Sequence, residues 1–431
     1  MKTFLLIILM TSVACTSLDV GDYYTAEEIS KRLVQSEEVI ATRQQRLEGV
    51  SLHYKALFFE EKLTGAMSSK WKFCPKVFQK NKAGVFRMDM TALFLASMAF
   101  KFAVTKEEID KTLILNILDS IYAADSLNKL DGFLPYKVSV KRGELKIISN
   151  ETHINVYTQL FFAYISLLEM NKDSQIRQRV LRHFKLVINH LQANDFKLVD
   201  QEGQESEYSD ISPSFFAMNG SRQCALMVLL DAGLKYFPNE AFSEKLKSAR
   251  AQISSYGYEE DIQSLHFKVF SLELPTHSSS WLNMLSFYNG FRTTEAEHYV
   301  TAYKNLLARY ADEQNVFFLL IGQLIDEDKN KTVLEELKRK LEGFPVNPAN
   351  SEIVFDDNKG IALSEKAQYV KNIKRLEALC PVPFYRRPLK SFEWKQNQMR
   401  VDGNFTSSGN QEYTGIDYLL AYWMLIFISE S

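Results

Sequence analysis

The chain lacks a surplus of charge of either sign. Lys and Arg number 51 and Asp and Glu 53 among 431 residues, a net charge of -2. No general electrostatic attraction therefore draws it to nucleic acid. Cysteine is scarce, with four residues in all. No two are close enough in sequence to make half of a zinc site, and His183, His190, His266 and His298 stand at no metal-like spacing. There is no glycine-rich phosphate loop, and no serine sits in a Gly-x-Ser-x-Gly turn. Nothing calls for a metal or a cofactor. The stretch Tyr418 to Ile428 is strongly apolar but far below bilayer-spanning length, and it reads as a buried terminal helix. What remains has globular composition, 46% apolar and 24% charged, which excludes wholesale disorder. Aromatics are plentiful, with 30 Phe and 20 Tyr. Most belong in a core, and those at a cleft would suit stacking on sugar rings.

Residues 1–15 form a targeting segment. Lys2 gives the positive end, Phe4 to Met10 the apolar run, and Ser12-Val13-Ala14 the small residues before Cys15. The segment resembles a bacterial lipoprotein signal, in which Cys15 becomes the lipidated first residue. It departs from that pattern at Ser12, where Leu is usual; the plainer reading is an ordinary signal cut near Ala14. The resemblance implies an exported protein whose membrane contact is a lipid anchor. Thr16 after the Cys implies the outer membrane. Four Asn-x-Ser/Thr triplets, at Asn150, Asn219, Asn330 and Asn404, are then chance matches. Of the other cysteines, Cys224 lies in an apolar helix as a buried thiol, while Cys74 and Cys380, each beside a proline, could pair.

Residues 16–25 read as a tether, and 26–431 as one domain. Helices are expected over Ala26 to Glu48 and Leu52 to Leu63. Paired helices follow: Asp89–Val104 with Lys106–Asn128, Thr152–Met170 with Ser174–Leu191, Phe216–Tyr236 with Asn239–Ser255, Ser280–Phe291 with Thr294–Tyr310, and Asn315–Ile325 with Thr332–Leu341. Asp89, His153, Ala217 and Trp281 stand at successive intervals of 64 residues near the starts of four first helices. Each first helix is apolar nearly all round and each second helix is charge-rich, as at Arg177, Arg179, Arg182 and Lys185. Helices of the first kind are buried, and those of the second meet solvent. Turns within a pair are short and connections between pairs are long. All long connections therefore fall on the face where the inner helices begin, beside their anion-favouring N-termini. One connection alternates as a β-hairpin about Arg142-Gly143. A final helix, Tyr413–Ile428, could pair with an N-terminal helix and close a ring of six.

This alternation, with openings such as Glu151-Thr152-His153-Ile154-Asn155 and Ser280-Trp281-Leu282-Asn283, resembles the six-hairpin (α/α)-toroid superfamily over about residues 85 to 428. The resemblance implies an all-α, (α/α)6-type toroid with long loops and a small β-hairpin on one face. It also implies a glycan-binding cleft at the inner-helix N-termini, of the kind found in glycoside hydrolases and polysaccharide lyases. Hydrolysis needs two carboxyl groups across the scissile bond. Asp89, Asp131, Glu151, Glu207, Asp210, Glu412 and Asp417 are candidates. Asp89 and Asp417 lead, because burying a carboxylate in an apolar helix is costly without a role or a partner. Helix capping is the plain alternative. Elimination needs a base, a proton donor and groups that neutralise a uronate. His153, Asn155, Tyr208, Asn219, Arg222 and Tyr413 are the candidates, with His153 the expected acid/base group. Trp281 and Trp423 could stack on sugars or pack in the core. A non-catalytic envelope protein binding a ligand in the same cleft is the alternative class.

Overall fold

The computed structural model describes residues 51–75, 78–79, 84–213, 220–264, 277–325, 330–344, 369–372, 375–378, 393–398, 411–412 and 414–431. The signal, Cys15, the tether, the expected helix from Ala26 and Cys380 lie outside these residues.

Thirteen helices are described, and six form an inner ring: α2 (Met88–Thr105), α4 (Ile154–Met170), α6 (Gly220–Tyr236), α9 (His277–Thr294), α11 (Val316–Ile325) and α13 (Ile416–Glu430). Their sequences explain the placement. In α2 every residue from Met88 to Phe102 is buried, and in α4 nearly all are. A helix without a polar stripe has no face to give to water. α2 is the one described helix long and apolar enough to cross a membrane by length, and its burial in the ring accounts for that composition.

The outer helices are amphipathic. They are α3 (Glu108–Ser126), α5 (Ser174–Ala193), the pair α7 (Ser243–Ser255) and α8 (Tyr258–Ser264), α10 (Glu297–Arg309), α12 (Lys331–Glu342) and α1 (Leu52–Ala66). α12 buries Leu334, Leu337 and Leu341, a single stripe at helical spacing. Asp173 caps α5 by accepting from the backbone N–H groups of Gln175 and Ile176 at 2.9 and 3.0 Å. The expected third outer helix, Asn239–Ser255, is observed over Ser243–Ser255, and the expected connection after it carries a further short helix, Tyr258–Ser264, that begins past Gly257, whose φ of 75° lies in the left-handed region.

The ring closes between the first and last described helices, as the sequence suggested. α1 packs on α13. The Tyr418 hydroxyl donates to the Leu52 carbonyl at 2.8 Å, and His53 Nδ1 meets the Tyr422 hydroxyl at 3.0 Å. The last helix starts at Ile416 rather than Tyr413. Gly415 holds φ 72° before it, and a Cβ there would lie 2.1 Å from the Phe59 ring on α1. This position needs glycine for both its dihedral and the close approach. The architecture is an (α/α)6 toroid.

The toroid has no open bore among the described residues. α4 packs directly on α9 across the ring. Phe162 meets Phe100, Tyr288 and Phe317 at centroid distances of 6.2, 5.1 and 6.3 Å. Short sheets cover the end where the inner helices begin. The β-hairpin read from the sequence is part of a three-stranded antiparallel sheet of β2 (Val85–Arg87), β3 (Lys137–Lys141) and β4 (Glu144–Ile147). β5 (Lys197–Val199) pairs with β6 (Glu205–Asp210), and β1 (Phe78–Gln79) pairs with β9 (Gln411–Glu412). A separate hairpin joins β7 (Tyr369–Asn372) to β8 (Arg375–Ala378).

Candidate functional site

Strand register assembles the site. β2 runs straight into α2, so Arg87 ends a strand and is also the residue before the helix. Arg87 pairs with Lys137 in the sheet, and the Met88 N–H donates to the Tyr136 carbonyl at 3.2 Å. The Tyr136 N–H in turn donates to the Glu151 carbonyl at 3.1 Å. Three segments distant in sequence thus bring Arg87, Tyr136 and His153 together at the mouth of the ring. The Arg87 guanidinium lies 4.1 Å over the Tyr136 ring, and the Tyr136 and His153 ring centroids are 6.0 Å apart.

Asp89 is fully buried at the second position of α2. Arg87 Nε donates to its Oδ1 at 2.8 Å, a second guanidinium nitrogen donates to Oδ2, and the Met90 N–H donates to Oδ1 at 3.0 Å. Burial alone would push this carboxyl up in pKa. The Arg87 hydrogen bonds and charge, with Lys395 beyond, reverse that and hold it below the ordinary carboxylate range. A carboxyl kept ionised and bonded on both oxygens is not the general acid of a glycosidase.

His153 is the N-cap of α4. Its Nδ1 accepts the Asn155 backbone N–H at 3.2 Å, which requires the neutral ring to carry its proton on Nε2. Burial lowers its pKa; Asp89 opposes this, while Lys395, Arg87 and Arg222 add to it. The ring is half-buried, and Nε2 has no hydrogen-bond partner among the described residues. In this geometry Nδ1 is occupied by the Asn155 N–H, and the neutral imidazole keeps Nε2–H as its remaining donor.

Lys395 completes the group from a short 3-10 turn, Glu393–Lys395, that no local pattern announced. Its Nζ is 5.8 Å from the Trp281 ring centroid. Gln159 bridges beneath: with its amide oriented to suit both neighbours, its nitrogen donates to the Asp89 carbonyl at 2.8 Å and its oxygen accepts from Lys395 at 2.9 Å. The turn is anchored by Trp394, whose Nε1 donates to the Asp417 carbonyl at 2.8 Å.

The other expected residues divide. Arg222 is half-buried at the start of α6, close enough for its charge to act on His153. Asn155 is half-exposed beside His153. Asp417 is buried, and its Oδ1 accepts the Tyr418 N–H at 3.0 Å, repeating the local geometry of Asp89. Trp281 is fully buried with its ring 4.1 Å from that of Phe317, so it packs in the ring and offers no face to a sugar. Trp423 is likewise buried. Asp131 and Glu151 are exposed. Tyr208 and Asp210 lie on β6 and Glu412 on β9, with side chains outside the described set; Tyr413 and Asn219 lie wholly outside it. Reading the sequence missed Arg87, Gln159 and Lys395. Arg87, two residues before a buried Asp, was the one with a usable signal. Among the described residues, no three His, Cys, Asp or Glu side chains could together hold a metal.

No protein-family model matches the chain, and no curated protein has a similar sequence. Solved structures do resemble it. A family 76 α-mannanase from Bacteroides thetaiotaomicron is 10% identical, with TM-score 0.49 over 89% of this chain and 97% of that one. A D-mannose isomerase is 9% identical, with TM-score 0.47 over 91% and 98%. A cellobiose 2-epimerase from Spirochaeta thermophila is 10% identical, with TM-score 0.30 over 65% and 86%.

Proposed function

We propose that this is an exported, lipid-anchored envelope protein that binds a glycan at the mouth of its toroid, over His153. The observation that carries this reading is the Nε2–H of the half-buried, neutral His153, which meets no hydrogen-bond partner among the described residues, with the positive charges of Arg87, Arg222 and Lys395 around it. Fixed donors and charge at a partly dry mouth suit a ligand rich in oxygen acceptors. The filled ring centre favours binding at the mouth over threading through a channel.

If the glycan is turned over, elimination fits these groups better than hydrolysis. Asp89, the leading carboxyl, is already spent on Arg87. In an elimination a base removes the proton beside a uronate carboxylate, the bond to the leaving oxygen breaks, a carbon–carbon double bond forms, and the leaving oxygen is protonated. His153 and the cations would stabilise the charge that develops on the carboxylate. Tyr208 and Tyr413 remain the candidates for moving the proton. A glycan array probed with wild type and His153→Ala, followed by product analysis on any hit, tests the reading. Retention by wild type with an unsaturated product supports elimination; retention without product supports binding alone; no retention by either protein removes the glycan. The anchor is tested by fractionation, where Cys15→Ala should move the protein from membrane to soluble fractions.

A further inference from the structure

The chain is balanced in charge as a whole, yet one sector of the mouth is not. From Lys62 to Met88 the sequence holds seven Lys or Arg residues and no Asp or Glu; from Gly132 to Gly143 it holds three and none. The fold brings these two stretches together. Arg87 of β2 stands opposite Lys137 of β3, while Ser139 and Lys141 of β3 stand opposite Lys146 and Glu144 of β4. Residues two and four apart on a strand share a face. One face of the sheet therefore carries Arg87, Lys137, Lys141 and Lys146, while Phe86 and Val138 of the other face are buried. The segment before β2 is tied alongside. The Arg87 N–H donates to the Cys74 carbonyl at 2.9 Å, and Trp71 Nε1 donates to the Gly143 carbonyl at 2.9 Å. Lys70, 4.6 Å over the Trp71 ring, thus joins Arg142 at the hairpin tip.

These charges are not neutralised locally. The one acid of the sheet, Glu144, reaches Lys146 at 3.6 Å, and among the described residues Lys70, Lys137, Lys141 and Arg142 form no ion pair. Like charges directly opposite on a sheet are destabilising, so stability alone does not account for Arg87 facing Lys137. We infer that this sheet face is a binding track for an acidic polysaccharide, running from the mouth at Arg87 to the hairpin tip; the inference rests on the glycan reading of that mouth. Lys137 to Lys141 spans about 13 Å along the strand, a line of cations suited to an extended chain with repeated carboxylates or sulfates. Val85 and Ile148, 40% and 48% exposed, border the same line. Exposed apolar surface of this kind suits the C–H faces of sugar rings. A nucleic acid would call for several aromatic platforms, and Trp71 is the one aromatic at the tip.

Calorimetric titration of the full chain tests this with four probes: a long oligogalacturonate, a neutral mannan oligosaccharide, single-stranded DNA and phosphatidylglycerol vesicles. Wild type should prefer the oligogalacturonate, with an affinity that falls as salt rises. Lys70→Gln/Lys141→Gln/Arg142→Gln, three exposed positions away from His153, should lose at least tenfold in that affinity at an unchanged melting midpoint. Should it fail to fold, Lys141→Gln alone should show a smaller loss in the same direction. Lys106→Gln/Lys304→Gln/Lys331→Gln removes the same charge from exposed positions elsewhere and should bind as wild type does. An equal loss in this control overturns the track, as does an unchanged affinity in the track variant. Neutral glycan bound as tightly as the acidic one, or tighter binding to vesicles or DNA, also overturns it. His153→Ala separates the two readings. If it keeps the long acidic chain while the track variant loses it, the track stands and the His153 reading falls. If wild type binds only a neutral glycan, through His153, the reverse holds.

Discussion

His183 and His153 both lie near an aspartate, and the contrast between them separates structure from chemistry. His183, on outer helix α5, is 3% exposed. Its Nδ1 meets the Tyr164 hydroxyl at 2.6 Å, and its Nε2 meets Asp125 Oδ2 at 3.2 Å. Asp125 Oδ1 accepts the Gly132 N–H at 2.8 Å. Burial drives the Tyr164 hydroxyl well above its ordinary pKa, and the Asp125 charge adds to this. Every polar atom of the His183 ring is used inside the protein, so this cluster fastens an outer helix to an inner one. His153, at the ring mouth, spends one nitrogen on its own helix, and the other has no hydrogen-bond partner among the described residues. The lesson is that a histidine near an aspartate signals function only when some of its hydrogen-bonding capacity is left unspent. The sequence by itself shows both residues as histidines near helices.

The largest effect should come from breaking the saturated cluster. His183→Ala leaves Asp125 buried without its ring partner and should cost about 3–5 kcal/mol, read as a fall in the denaturation midpoint. A loss under about 1 kcal/mol would mean that the cluster does not fasten the rings. Next is Arg87→Met, which strands the Asp89 carboxylate in a buried helix start. Arg87 is partly exposed, so water can relieve some of the penalty; a loss of about 3 kcal/mol is expected. A variant as stable as wild type would show that Asp89 has another sufficient partner. By contrast His153→Ala, which removes only the N-cap bond to the Asn155 N–H, should cost about 1 kcal/mol.

The smallest and most specific effect is on titration. His153 should titrate below its usual value of 6.5, because burial and three cations outweigh Asp89. The sign for stability follows. The unfolded chain takes up the proton first, so the stabilising effect of a neutral His153 is complete above pH 6.5. It is lost progressively as pH falls through the lower, folded pKa. Lys395→Met, by removing a cation, should raise the folded pKa. Nitrogen-15 spectra of the imidazole report both the pKa and the tautomer, and a proton found on Nδ1 would contradict the donor role assigned to Nε2.

The toroid was legible because burial is written into composition. Helices such as α2 and α4 have no polar stripe, while α5 and α12 have one, and that difference alone sorts inner from outer. The closing pair was legible because Tyr418–Ile428 had no later partner. Its start at Ile416 was not legible, since that depends on the Phe59 ring lying against Gly415. The site was only half legible. Asp89, His153 and Arg222 stood out as polar residues at apolar helix starts. Trp281 did too, yet it is core, because aromatic content does not say which way a ring faces. Lys395 could not be found, as its place is set by Trp394 locking a short turn onto α13, a contact with no local sequence pattern.

The central claim is that His153 serves a ligand and His183 serves the fold. The most direct measurement is the affinity of the best array glycan for wild type and His153→Ala, with thermal melting of the same samples. The account predicts at least a tenfold loss of affinity, about 1.4 kcal/mol, with a midpoint lowered by no more than the loss of one helix cap. Equal affinity in the two proteins, or loss of the folding transition in the variant, would contradict it.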